Sequence, residues 1–241
     1  MKADSPILLV KTHAFGDALL CTPVVRELTA ERKAEYWILT GDSAAAVWER
    51  FPGITRIFVA PMPPSSGIDG YLKLIRWTMR NRKTLKSVRE SIVFQNASAV
   101  RRWVRYLTCS QVTSAGEKPL GSWETVIPMN NEEYAGISWS NVAGVKPDDW
   151  RGVFNPSDSD REWALKTGLS GPVFAIAPGG GKNPRDNVPE KRWLPGRYAV
   201  IADRLSASGF HVILIGGSGD TGIAEETARH CGAEILDLSL K

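Results

Sequence analysis

The sequence predicts an α/β protein built on parallel sheets, and three observations carry that expectation. Apolar runs of strand length alternate with apolar-periodic segments of helical length, glycine-bearing loops join strand to helix, and the pattern starts twice, at Ile7 and again at Pro172. A chain of 241 residues, 43% hydrophobic and 23% charged, can bury the core of one large or two modest domains.

The first strand is Ile7-Leu8-Leu9-Val10, which feeds the polar turn Lys11-Thr12-His13-Ala14-Phe15. Gly16 is expected to let the backbone bend there, and Asp17 opens a helix with Leu20, Val24 and Leu28 at helical spacing. Pro23 fits that helix only if it lies in the first turns. Ala34 to Thr40 reads as a strand, Ser43 to Phe51 as a short helix, and Ile54 to Val59 as a third strand. Residues 60–70 form a Pro/Gly/Ser loop ahead of a helix from Tyr71 to about Lys86. Ser91 to Asn96 and Gln111 to Ser114 are strands on either side of a helix from Ser98 to Cys109, and Glu132 to Val145 is a helix.

Lys146 to Pro156 reads as a linker, which puts the first domain at 1–155 and the second at 156–241. Ser159 and Glu162 have capping-box spacing ahead of Trp163, so Asp158-Ser159-Asp160 is better read as a helix start than as a metal-binding DxD. The second half then runs through a buried-strand stretch, Pro172 to Ala177, and a long loop to Trp193. A helix bearing Tyr198 and Leu205 ends near Gly209, followed by a strand from His211 to Ile215 and a helix from Ile223 to Cys231.

Thirty Lys and Arg against 26 Asp and Glu leave a net charge of only +4. Ten of those cations fall between Lys73 and Arg105, opposed there by the single acid Glu90, so the positive field is expected to concentrate in this stretch. A solvated helix face, an anionic acceptor and an anionic membrane surface all fit it; nucleic acid fits worst, because no nucleic-acid fold signature accompanies the charge. Cys21, Cys109 and Cys231 are too scattered for a disulfide frame, and are expected to be reduced and packed. With His13, His211 and His230 equally dispersed, no metal site is expected. No apolar run approaches the ~20 residues of a membrane span and no signal peptide is evident, so a cytoplasmic protein is expected.

Three places can carry chemistry. Asp17 would stand at the C-terminal edge of a sheet, where open α/β folds bind ligands, although the same residue could simply cap its helix. Gly179-Gly180-Gly181-Lys182 follows a strand, and its amides could approach a phosphate. Gly217 to Gly222 is a literal GxGxxG with Asp237 beyond it, the pattern of an NAD- or flavin-binding oxidoreductase. It follows the second strand of its half rather than the first.

Two segments in register resemble glycosyltransferase family 9, the ADP-heptose:lipopolysaccharide heptosyltransferases. They are Lys11-Thr12-His13-Ala14-Phe15-Gly16-Asp17, continuing through Ala18-Leu19-Leu20-Cys21 to Thr22-Pro23, and Pro178 to Gly181 with Lys191-Arg192-Trp193. The resemblance implies the GT-B architecture, two Rossmann-like domains facing a cleft, and inverting, metal-independent transfer of a heptose or related sugar without a cofactor. It implies Asp17 as general base and Gly179, Gly180, Gly181, Lys191 and Asp220 on the nucleotide-sugar donor. Lys11, Thr12, His13 and Gly16 would lie toward an anionic glycolipid or glycan acceptor, with peripheral contact at the cytoplasmic face of the inner membrane. The family's late D-[S/T]-G-x-x-H segment is not found in this chain, so the resemblance implies an incomplete second domain and weak or absent turnover. A non-catalytic binding protein is the remaining alternative.

Overall fold

Every residue of the first strand is buried, and the first unit is assembled around it. In the computed structural model the chain divides into two compact units, Met1–Ser157 and Asp158–Lys241. The structure describes residues 5–61, 67–130, 132–180, 192–217 and 219–239.

The first unit contains β1 (Ile7–Lys11), α1 (Phe15–Glu31), β2 (Tyr36–Gly41), α2 (Ala45–Trp48), β3 (Ile54–Ala60), α3 (Gly67–Leu85) and β4 (Glu90–Val93). It continues with α4 (Ser98–Thr108), β5 (Gln111–Ala115), β6 (Glu124–Ile127) and α5 (Ala135–Ala143). The six strands pair in parallel in the order β3-β2-β1-β4-β5-β6. Period-2 alternation divides β1 between two cores. Ile7 and Leu9 join α1, α5 and Trp48 on one face, while Leu8 and Val10 join Leu85, Val100 and Leu107 on the other. Each such side chain, sealed from water, contributes about 1.5–3 kcal/mol.

Three expectations are corrected in this unit. Pro23 is not in the first turns of its helix but in the middle of α1. It is tolerated because the Thr22 hydroxyl donates to the Leu19 carbonyl at 2.7 Å, replacing the amide proton that proline lacks. The Thr22 hydroxyl also accepts the Val153 N–H at 2.7 Å. Asp149 meets Arg26 at 3.5 Å, and Asn155 exchanges hydrogen bonds with Arg50 at 2.7 and 3.0 Å. The stretch read as a linker is therefore strapped onto the first unit, which runs through Ser157. Strand β6, Glu124 to Ile127, went unread because four residues are too short a run to show a period; its register comes from parallel pairing with β5.

The basic stretch is also less uniform than its composition implies. Arg101 is 3% exposed and pairs with the buried Glu124 at 3.2 Å, while the Glu124 carboxylate accepts from Ser114 and from the Leu120 N–H, each at 2.7 Å. A buried arginine requires such a counter-charge. Lys73, Arg76, Arg80, Lys83, Lys86 and Arg102 are the exposed cations.

The second unit is a three-stranded parallel sheet, β7-β8-β9 (Val173–Ile176, His211–Leu214, Leu236–Asp237). With it stand α6 (Asp158–Lys166), α7 (Pro195–Ala207) and α8 (Thr221–His230). Its core is Ile176, Ala202, Val212, Leu214 and Ala224. Helix α6 starts one residue ahead of Ser159, which lies within its first turn rather than capping it. Helix α7 starts at Pro195, three residues earlier than its apolar periodicity suggests, with proline in the position where a missing N–H costs least.

The cysteines divide by environment. Burial pushes the Cys21 thiol up to about 12 despite the nearby Lys11 ammonium. Cys109, expected to be packed, is exposed and takes a left-handed conformation (φ 57°) at the end of α4, with the Arg105 guanidinium donating to its carbonyl. An Ellman-type reagent is expected to label Cys109 first in the native protein and Cys21 only on unfolding. The variant Thr22→Val strips a partner from both Leu19 and Val153 and is expected to cost about 1–3 kcal/mol in urea denaturation, whereas Thr22→Ser keeps the hydroxyl and most of the stability.

Candidate active site

Strand order in the first sheet reverses between β1 and β4, and the C-terminal ends of those two strands border the crevice where doubly wound sheets bind ligands. Lys11 ends β1 there and is 5% exposed. Its ammonium lies 3.3 Å from Asp17 Oδ2 and 4.7 Å from the centre of the Trp139 ring on α5. An aromatic face and a carboxylate together compensate a cation withdrawn from water. Asp17 itself keeps about half of its side chain exposed.

The alternative role for Asp17, capping α1, does not describe the geometry. The N-cap is Ala14, which makes no side-chain capping bond, and Asp17 is the third helical residue. Its negative charge suits the first turn, but its carboxylate accepts from the Lys11 ammonium rather than from an α1 amide. Gly16 also departs from expectation. Its φ is not left-handed, so no bend demands glycine, and a Cβ built there meets nothing within 4 Å. A side chain at this position would find open space.

The loop between β1 and α1 is held from β4. The Gln95 side-chain oxygen accepts the Thr12 N–H at 2.9 Å and the Thr12 hydroxyl at 3.1 Å, and that hydroxyl lies 2.8 Å from His13 Nδ1. Lys11 and Thr12 are thus buried structural members of the loop, while His13 is half-buried and Gly16 and Asp17 face solvent. Gln95, Trp139 and the edge-to-face pair Phe15–Phe154, with ring centroids 5.7 Å apart, were not singled out from the sequence. A depression lined by Tyr134, Ile137, Ser140, Asn141, Val145, Lys146 and Trp150 contains none of the sequence-predicted site residues.

In the second unit, Gly179 and Asp220 come together. A Cβ on Gly179 would lie 2.1 Å from the Asp220 carboxyl carbon, so this approach requires glycine. Asp220 is 8% exposed, and its Oδ2 accepts the Gly217 N–H at 3.2 Å. Oδ1 is buried and has no hydrogen-bond partner among the described residues. This carboxylate occupies the amide that the GxGxxG reading would offer to a phosphate, and Asp237 is engaged by the Ser239 N–H at 2.8 Å. Gly180 is described and half-buried, whereas Gly181 and Lys191 lie outside the described residues.

No protein-family model matches the chain, and no curated protein sequence does. Solved structures do. A glycosyl transferase family 9 protein from Veillonella parvula DSM 2008 aligns with a TM-score of 0.75 at 17% identity, over 99% of this chain and 71% of that one. The ADP-heptose lipopolysaccharide heptosyltransferase II of E. coli aligns at 0.73 and 16%, over 97% and 72%. The E. coli heptosyltransferase WaaC, solved with ADP, aligns at 0.66 and 15%, over 98% and 74%. At this identity the likeness shows the fold: two Rossmann-like α/β units of the GT-B class.

The two glycines should respond oppositely to a methyl group. Gly179→Ala is expected to displace Asp220 and to cost about 1–3 kcal/mol in chemical denaturation, whereas Gly16→Ala should stay within about 0.5 kcal/mol of the parent.

Proposed function

We propose that this chain is an inverting, metal-independent glycosyltransferase that moves a heptose or related sugar from a nucleoside diphosphate sugar, ADP-heptose being the leading donor, to a hydroxyl of a lipopolysaccharide core or other glycan. The observation that carries the reading is the half-exposed Asp17 carboxylate, tethered to the buried Lys11 ammonium at 3.3 Å at the end of β1. The heptosyltransferase folds of the solved neighbours support it.

Inversion requires one displacement. The acceptor oxygen attacks the anomeric carbon as its proton passes to a base, and the bond to the diphosphate breaks with its electron pair leaving on oxygen. Asp17 is the base. Lys11 and Gln95 act through it, the first by orienting the carboxylate and the second by holding the loop that bears it. On the donor side, the second unit contributes the backbone of Gly179, Gly180 and Gly181, and Lys191 neutralises the departing charge. Asp220, packed against Gly179, is the carboxylate of this unit assigned to a donor hydroxyl.

The acceptor is anionic, and the half-buried His13 and the exposed Gly16 are the loop members near Asp17 in sequence that would meet it. Lys11 and Thr12 support them from below. The exposed cations of α3 and α4 supply long-range attraction, and the chain works at the cytoplasmic face of the inner membrane. A dinucleotide-dependent oxidoreductase is disfavoured because Asp220 fills the GxGxxG amide position.

The test is Asp17→Asn, assayed with ADP-heptose and a core-oligosaccharide acceptor beside calorimetric titration of ADP. Transfer should fall about 10²–10⁴-fold while ADP affinity holds. Full transfer by the variant would remove Asp17 from the chemistry. Thermal stabilisation by NAD(H) or a flavin, with none by ADP-heptose, would replace the reading altogether.

A further inference from the structure

Helix α3 carries an apolar stripe that the fold of the first unit does not use. Ile68, Tyr71, Leu72, Ile75 and Met79 recur at helical spacing on one side and are 80, 61, 45, 53 and 73% exposed. The opposite side seats the helix: Gly70, Thr78 and Leu85 are buried, Trp77 stacks with Trp103 at 5.6 Å, and the Trp103 indole N–H donates to Thr78 at 3.0 Å. The stripe is therefore not the core face of a frayed helix. It is a second apolar face on a helix already docked through its first.

Charge sits along the border of that stripe. Lys73, Arg76, Arg80 and Lys83 are exposed on α3, and Asp69, the sole acid between Gly67 and Leu85, is paired with Lys73 at 2.8 Å. The neighbouring helix α4 adds exposed Arg102 and Tyr106, with the Arg82 guanidinium 4.3 Å above the Tyr106 ring. A protein partner would match the apolar stripe with its own side chains. A row of cations beside exposed aliphatic and tyrosyl groups instead matches a layer in which anionic headgroups lie directly above acyl chains. No helix among the described residues is long and apolar enough to cross a membrane. Docking in the plane of the surface is the arrangement this face permits.

We infer that α3 is an in-plane docking helix for an anionic lipid bilayer, its stripe Ile68, Leu72, Ile75 and Met79 entering the headgroup region while Arg76, Arg80 and Lys83 engage lipid phosphates. This deepens the proposed function, resting on that reading only for its purpose, which is to bring the unit to an acceptor embedded in the membrane.

Flotation of the full chain with phosphatidylglycerol-containing vesicles and with pure phosphatidylcholine vesicles tests it. Binding is expected to the anionic vesicles, weakening as salt rises. The pair Ile75→Ser with Met79→Ser should lower it about tenfold or more, as should Arg76→Gln with Arg80→Gln. All four positions are exposed, and circular dichroism checks that the fold is kept. Equal binding to both vesicle types, or anionic binding indifferent to the serine pair, overturns the inference. Absence of vesicle binding with concentration-dependent dimerisation that the serine pair abolishes assigns the stripe to a second copy of the chain and also overturns it. Transfer to a soluble, delipidated acceptor should be unchanged in the serine pair. Vesicle binding without any transfer would sink the glycosyltransferase reading and leave the docking helix standing.

Discussion

A lysine ammonium withdrawn from water must find a counter-charge, and the layout of the first unit follows from where Lys11 finds it. Strand β1 is hydrogen-bonded on both edges, by β2 and β4, and covered on both faces, and its first four side chains join two apolar clusters before the strand reaches Lys11. There the buried ammonium reaches Asp17 and the face of Trp139. Removing either partner would leave a buried cation poorly compensated, which is among the costlier defects a core can carry. The same contact holds one carboxylate at the mouth of the sheet in a defined position, half in solvent, without using it to cap the helix. Positioning of this kind is what the geometry contributes to chemistry at that point.

Around this contact, long-range hydrogen bonds remove freedom from segments that would otherwise be loops. Gln95, arriving from β4, holds Thr12 by backbone and side chain. Thr22 repairs the gap that Pro23 leaves in α1 and, with the same hydroxyl, takes the N–H of Val153. That second bond draws residues 149–155 against α1 and brings Phe154 onto Phe15 in the helix's first turn. A single Thr-Pro step thus serves the helix, the chain leaving the unit and the surroundings of Asp17.

The second unit is organised on a smaller scale. Among the described residues its apolar cluster is Ile176, Ala202, Val212, Leu214 and Ala224, and no residue of α6 is buried. Its distinctive contact is polar: Gly179 gives up a side chain so that Asp220 can lie against the end of β7, where Asp220 takes the Gly217 amide. A pattern that reads locally as a phosphate loop has, once folded, its Gly217 amide taken by a carboxylate of the same chain.

What the sequence determined by itself was whatever depends on neighbours along the chain. The alternation of apolar runs was enough for parallel α/β architecture, the junction after Val10 was enough to put Asp17 where a sheet delivers ligands, and Gly209 marked the end of a helix. Tertiary structure decided what depends on partners far apart in the chain. It placed Gln95 and Trp139 beside the β1–α1 junction, buried Arg101 against Glu124, added β6 by pairing, and turned an expected linker into a strap. No local period encodes these contacts. A glutamine or an arginine reads as polar wherever it stands, and only the approach of a distant segment determines whether it meets water, a charge or an amide. Gly16 is the same kind of case: its φ is not left-handed, and only the folded unit shows that a Cβ there would meet nothing within 4 Å.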